Sequence, residues 1–217
     1  MTASFDLFAN EPQALQLRLG PQAMVLRQRA LPYAQQLFEG IQSALLQAPL
    51  CQLQTPGGHR MSVRTSSCGP QGWVSDERGY RYATAHPDTN KPWPSIPVAW
   101  QTLAIDAASE AGFNGFMPDS CLINQYTPES KMSLHQDRNE SDFTQPIVSI
   151  SLGMSAVFLW GGMQRSDRPS QVLLHHGDIV VWGGTDRLRF HGIKHLTGAP
   201  HSECGAMRYN LTLRRAR

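Results

Sequence analysis

A mainly β domain with flanking helices, built as a sandwich or jelly roll, is the fold this sequence predicts. Three observations point to it. After Gly115, seven short runs rich in β-branched and aromatic residues follow one another, separated by Gly, Pro, Asn and Asp. Helical periodicity is concentrated in the first half of the chain. The length of 217 residues suits one domain, 1–217, with a single sizeable core.

Composition narrows the function classes. Hydrophobic residues make up 41% and charged residues 17%, the balance of an ordinary globular chain. No run of 18 apolar residues exists, so no membrane span is expected. Met1 to Asn10 carries neither a basic stretch nor a long apolar one, which points away from secretion and towards the cytoplasm. Cys51, Cys68, Cys121 and Cys204 are scattered without a C-x-x-C pair, so reduced thiols are expected rather than disulfides or structural zinc. A net charge of +2 is too small for coating duplex DNA; nucleic acid, if bound, would meet a local patch over a short stretch.

The elements follow in order. Leu37, Ile41 and Leu45 recur every four residues, one face of a helix from about Tyr33 to Gln47. Thr55 to Tyr82 mixes turns, aromatics and arginines and reads as a hairpin-rich lid; 48–82 is the expected extent of that lid, within the single domain. Ala83 to Pro97 holds four prolines and reads as a loop. A second helix is expected from Pro97 to Ala111, with Pro97 in its first turn and Gly112 at its stop. The β-rich core, 116–217, should contain strands Cys121–Thr127, Ile147–Leu152, Ala156–Trp160, Val172–Leu174, Ile179–Trp182, Leu188–Ile193 and Met207–Leu213.

Candidate metal ligands lie in that core. In extended backbone, residues i and i+2 face the same way, so a His-x-Asp segment brings an imidazole and a carboxylate together. A distant His would complete a two-His-one-carboxylate facial triad with open positions for O₂ and a chelating co-substrate. The pattern occurs three times, more often than composition alone supplies. His86-Pro87-Asp88 sits in the proline-rich loop, where no strand fixes its geometry. His176-Gly177-Asp178 reads as a turn between two strands. His135-Gln136-Asp137 follows a strand, and a strand-borne His191 comes later; this set ranks first and His176/Asp178 second. A single His such as His191 is, by itself, more often a hydrogen-bonded core residue than a ligand.

The last strand alternates. Arg208, Asn210, Thr212 and Arg214 share one face, and Met207, Tyr209, Leu211 and Leu213 the other. Alternating Arg usually marks a solvated face. Here Arg208 and Arg214 lie roughly 20 Å apart along the strand. Leaning inward, their guanidinium groups would match the two ends of a short dicarboxylate, and Asn124 and Tyr126 offer a second polar face. Beside a metal triad, this describes a pocket for 2-oxoglutarate.

Asn124-Gln125-Tyr126, Lys131 through Asp137, His191 and Arg208 through Arg214 together resemble the AlkB family of alkylation-repair dioxygenases, most of all the bacterial enzyme that gives the family its name. The likeness extends over Thr55-Pro56-Gly57-Gly58, Gly72-Trp73, Thr89 through Pro94, Ser149 through Gly153, and His176 through Gly184. The resemblance implies a double-stranded β-helix with an N-terminal helix-and-hairpin nucleotide-recognition lid. It implies Fe(II) on His135, Asp137 and His191, the distal carboxylate of 2-oxoglutarate on Arg208, Asn210 and Tyr126, and Arg214 and Asn124 near its chelating end. The turn at His176/Asp178 is structural in the family.

The implied activity is O₂-dependent dealkylation of N1-methyladenine- or N3-methylcytosine-type bases in single-stranded DNA, and RNA as a further substrate. Formaldehyde, succinate and CO₂ are released. The base must be unpaired or flipped to reach the metal. Trp73 would stack on it opposite the His135 ring, Tyr80 would meet a phosphate, and Thr55, Lys131, Gln136 and Arg165 would touch the bound strand. Arg60, Arg64, Arg78 and Arg81 would give the lid its positive charge, against Asp76 and Glu77. Trp93, Trp100, Trp160 and Trp182 are assigned to packing.

Asn139 stands where the bacterial enzyme has an aspartate near the alkylated base, Gln125 where it has an arginine and Thr65 where it has a methionine; an altered lesion profile follows. Two other readings compete: an oxygenase acting on a protein side chain or small molecule, which would want an apolar lid, and a jelly-roll binding module without turnover, which would not need complete ligand sets. A monomer is expected.

Overall fold

The computed structural model describes residues 14–217; the segment Met1–Asn10, read above for a secretion signal, lies outside them. Among the described residues thirteen strands and two α-helices are formed. They run β1 (Gln16–Gly20), β2 (Ala23–Leu26), α1 (Ala34–Gln47), β3 (Arg64–Cys68), β4 (Gly72–Asp76), β5 (Gly79–Ala83), α2 (Val98–Glu110), β6 (Ser120–Tyr126), β7 (Met132–His135), β8 (Ile147–Gly153), β9 (Ser155–Trp160), β10 (Ser170–Leu174), β11 (Ile179–Trp182), β12 (His191–Thr197) and β13 (Arg208–Arg214). Among the described residues no helix is long and apolar enough to cross a membrane.

Seven strands form a large sheet in the order β1-β2-β11-β8-β13-β6-β3, and four form a small sheet in the order β10-β9-β12-β7. All the strand pairs within them are antiparallel. Strand alternation divides the large sheet into two faces. Cys121 and Ile123, Val148 and Ile150, Ile179 and Val181, and Leu211 and Leu213 share one cluster with Leu37, Ile41, Trp100 and Leu103 of the helices. Ile147, Val180 and Trp182 point the other way and meet Phe158 and Trp160 of the small sheet. Burying each large side chain in these layers contributes roughly 1.5–3 kcal/mol.

The helices sit where their periodicity placed them. Pro97 caps α2 and Gly112, at φ +90°, follows its end. Helix α1 approaches α2 closely because residue 40 is glycine: a Cβ there would lie 2.8 Å from Trp100 Nε1.

Several expectations shift. Strands β1 and β2, not foreseen, extend the large sheet at one edge. The segment 48–82 divides: β3 is the opposite edge strand of the large sheet, whereas β4 and β5 pair only with each other. The strand expected at Leu188–Ile193 begins at His191, because Gly184–Asp186 forms a 3-10 turn and the amides of Arg187 and Arg189 bond back to Gly184 and Asp186. The four cysteines are free; three are buried and Cys204 is half-buried.

Candidate metal centre and its cavity

Strand pairing creates the centre. His135 ends β7 and His191 begins β12, and the two are direct cross-strand partners. Their rings stand 4.4 Å apart at 52°. Asp137, two residues on from His135, places Oδ1 3.7 Å from His135 Nε2 and Oδ2 3.8 Å from His191 Nε2. The three ligand atoms lie within 4.8 Å of one another. Each imidazole is held by a backbone carbonyl: Nδ1 is 2.9 Å from Ser133 O in one and 3.0 Å from Arg189 O in the other. A carbonyl only accepts, so each Nδ1 carries a proton and Nε2 is the nitrogen left to ligate.

The other two His-x-Asp segments are differently employed. His86 is buried; its Nε2 donates to Pro49 O at 2.7 Å and its Nδ1 accepts the Asp88 amide at 3.1 Å. Cys51, His86 and Asp88 do gather, yet neither ring nitrogen has a lone pair left for a metal. At the third, Asp178 accepts amides from Gln28 and His175 and pairs with Arg27, while His176 Nδ1 accepts the Gly153 amide. That turn is structural.

Electrostatics shape the centre further. Burial opposes the charge on Asp137, but Arg214 outweighs it and the carboxyl is held well below its ordinary range. Arg214 donates to Asp137 Oδ2 from Nη2 at 2.6 Å and Nε at 3.0 Å. Burial, then His135, pushes His191 down to about 4, so its ring is neutral at physiological pH. Asp137 and Glu140 are balanced by Arg214 and Arg187. Arg208 is different. It is fully buried, donates to Met154 O and Ser151 Oγ, has no ion-pair partner among the described residues and leaves Nε without an acceptor. Burial pushes it down to about 10. A buried, uncompensated guanidinium with a spare N–H calls for an anion.

Register explains the neighbours. Arg208 pairs with Tyr126 and Asn210 with Asn124 across β13 and β6. Asn124 Oδ1 is buried without a partner. Tyr126 is buried, its hydroxyl directed at Met132 Sδ. The amide of Asn210, by contrast, is fully engaged with Ser149, Ile150 O and Thr212. These residues fit a ferrous ion beside a dicarboxylate: two imidazoles and a carboxylate for the metal, and beyond it an unpaired buried cation with a spare N–H for the anion.

One cavity of about 970 Å³ contains all of these groups and all the nucleic-acid candidates: Thr55, Trp73, Tyr80, Lys131, Gln136, Asn139 and Arg165. Trp73 and Tyr80 are diagonal neighbours on one face of the β4–β5 hairpin, and their rings stack at 5.5 Å and 15°. One face of Trp73 is therefore covered by Tyr80. Asn139 accepts from Trp73 Nε1 and donates to Tyr80 O, each at 3.3 Å. Gln136 donates to Leu188 O. The positive charge expected over Thr55 to Tyr82 is partly spent: Arg78 and Arg81 both fold back onto Asp76, Arg64 turns to Leu50 O, and Arg60 lines the cavity wall. The four tryptophans assigned to packing are buried, and Trp182 also lines the cavity, edge-on to His191 at 5.0 Å.

Glu140 and Arg187 were missed. Arg187 donates to Asp137 O at 2.7 Å and to Glu140 at 3.0 Å, and Glu140 accepts the Tyr82 hydroxyl at 2.5 Å. No local spacing marks them: each stands among other polar and charged residues, in Arg138 through Asp142 and Thr185 through Arg189, and nothing in either run singles it out.

Comparison with known proteins agrees with this geometry. The family model described as 2OG-Fe(II) oxygenase superfamily matches residues 23–214. The alpha-ketoglutarate-dependent dioxygenase AlkB of Salmonella typhimurium is 50% identical over 211 residues, 97% of either chain. The DNA N(6)-methyladenine demethylase ALKBH1A of Arabidopsis thaliana is 36% identical over 128 residues, 58% of this chain and 37% of that one. A solved structure, OsALKBH1, superposes with a TM-score of 0.78 at 25% identity, over 91% of this chain and all of the other.

Proposed function

The chain belongs to the 2OG-Fe(II) oxygenase superfamily and, within it, to the AlkB dioxygenases, and from that premise we propose that it dealkylates damaged bases in single-stranded DNA, with RNA as a further substrate. Ferrous iron with 2-oxoglutarate and O₂ supplies the chemistry: hydroxylation of an N-linked methyl carbon, with loss of CO₂ and succinate and departure of formaldehyde from the base. The rest belongs to the protein's own residues.

His135, Asp137 and His191 are the metal ligands in this reading. Their tautomers are set in advance by Ser133 O and Arg189 O. Arg208 and Tyr126 take the distal carboxylate, with Asn210, two residues along β13 and opposite Asn124, bracing that strand against β8. Asn124 and Arg214 stand towards the chelating end, Arg214 also steadying Asp137. The observation that carries the proposal is the buried, uncompensated Arg208 in the same cavity as the triad and Trp73.

Substrate capture follows from the hairpin. A flipped base enters beside Trp73 and His135, with Tyr80 supporting Trp73 and reaching the backbone. Thr55, Lys131, Gln136 and Arg165 border the strand's path. The β4–β5 hairpin with 48–63 acts as the recognition lid over the body formed by 116–217. The protein works as a monomer in the cytoplasm.

Asn139 tunes the choice of lesion. Its amide both accepts from Trp73 and donates to Tyr80 O; an aspartate there has no N–H to donate but would attract a cationic base. Formaldehyde release from methylated oligonucleotides with Fe(II) and 2-oxoglutarate tests the activity, and release undiminished in His135→Ala would refute the metal assignment. A panel of base adducts assayed with wild type and Asn139→Asp should give different rankings.

A further inference from the structure

Resting on the reading above, we propose that Glu140 is a positioning residue that ties the β4–β5 hairpin to the metal ligand Asp137, so that loading of the metal and dicarboxylate and docking of the hairpin are thermodynamically linked. Glu140 does not line the cavity, although Asp137, Arg138 and Asn139 do. It is 6% exposed and acts entirely through neighbours. Its two oxygens face opposite ways. Oε1 accepts the hydroxyl of Tyr82, on β5, at 2.5 Å. Oε2 accepts Arg187 Nη2 at 3.0 Å, and the other arm of the same guanidinium donates to Asp137 O at 2.7 Å. Arg214 lies between the two carboxylates, 2.6 Å from Asp137 and 3.7 Å from Glu140.

This chain of contacts is continuous from the hairpin to the metal ligand. Tyr82 is the direct cross-strand partner of Trp73. The hairpin pairs with neither sheet; its other anchors include Val74 packed on Ala48 and Trp93, the Trp93 indole on Ala83 O, Ser75 on Gln54 O, Arg217 over the Tyr82 ring, and the Asn139 bridge. Two carboxylates and two guanidiniums make the buried network neutral. Its members hold one another in place, since loss of either carboxylate would leave a buried cation unpaired. A metal and dicarboxylate that draw on Asp137 and Arg214 therefore change how firmly Arg214 and Arg187 hold Glu140, and Glu140 in turn holds Tyr82. Coupling of this kind is reciprocal.

Tyr82→Phe removes one hydroxyl and keeps the ring. Hydrogen exchange of the amides in residues 72–83 is measured in wild type and in this variant. Each is measured alone and with Mn(II) plus an unreactive 2-oxoglutarate analogue, N-oxalylglycine, whose binding is titrated in parallel. Loading should slow hairpin exchange about 5-fold or more in wild type and less than about 2-fold in the variant. The variant should also bind the analogue more weakly by a matching factor. A merely structural role would speed exchange in both states and preserve their ratio. Equal slowing in the two proteins, or binding without slowing in wild type, overturns the coupling alone. Failure of wild type to bind Mn(II) and the analogue overturns the functional reading and the coupling with it.

Discussion

The rings of His135 and His191 stand 4.4 Å apart at 52°, and those of His176 and His201 stand 4.3 Å apart at 54°. Both pairs have a carboxylate two residues along: Asp137 after His135, Asp178 after His176 and Glu203 after His201. The pairs differ in what their inner nitrogens touch. In the first, both Nδ1 atoms meet carbonyl oxygens. In the second, both meet amide N–H groups, of Gly153 at 3.1 Å and Glu203 at 3.2 Å. A carbonyl requires the proton on Nδ1 and frees Nε2 for a metal; an amide requires the reverse and makes Nε2 a donor. The backbone group behind a histidine, rather than its spacing from a carboxylate, decides whether it can ligate.

The most severe test of that contrast is substitution. His135→Ala or His191→Ala should weaken Mn(II) binding and dealkylation by more than about 100-fold, and chelation of the metal should abolish wild-type turnover. His176→Ala should leave both within about 3-fold. Titration calorimetry and formaldehyde assays read the difference, and similar losses at the two pairs would break the comparison.

A second test concerns the leftover groups on the metal side. Arg208→Ala should raise the KM for 2-oxoglutarate about 30-fold or more, as expected when a buried charge loses its partner, with Mn(II) affinity little changed. A KM within about 2-fold of wild type would remove Arg208 from the anion site.

Stability should invert the order. His176→Ala strips the Gly153 amide of its acceptor and should cost about 1–3 kcal/mol in denaturant unfolding of the metal-free chain. His135→Ala, half-exposed, should cost less. Equal losses would mean that the second pair is no more structural than the first.

The smallest effect lies in the hairpin. Arg81, then Arg78, hold the Asp76 carboxyl below its ordinary range. A depressed folded pKa means that the stabilisation is fully present above the unfolded value of about 3.9 and is lost as pH falls below it. Amide exchange in residues 76–81, corrected for its intrinsic pH dependence, should lose protection between about pH 4 and pH 2.5 in wild type and change little in Asp76→Asn.

Much of this was legible in residues alone. Helix α1 showed in Leu37 and Ile41, and β13 in the alternation of Arg208 through Arg214, because periodicity is a local property. The same alternation could not say whether the polar face met water or a cavity; that required a second sheet opposite. Strands β1 and β2 escaped because they are short, five and four residues, and because β1 is an edge strand with three of its five residues exposed. Arg78 and Arg81 were credited to the lid's charge, yet the tight β4–β5 turn brings both onto Asp76. Glu140 and Arg187 lie 47 residues apart and meet only through tertiary folding.

Strand β13 occupies the middle of the large sheet, between β8 and β6, yet it is the last of the thirteen in chain order. Until residues 208–214 are made, β8 and β6 have no strand between them to pair with. Arg208 and Arg214 arrive with that strand. A partly translated chain that bore the three metal ligands would still lack both of these guanidinium groups, and so would be poorly equipped to pair a redox-active ion with an organic acid before the large sheet is complete.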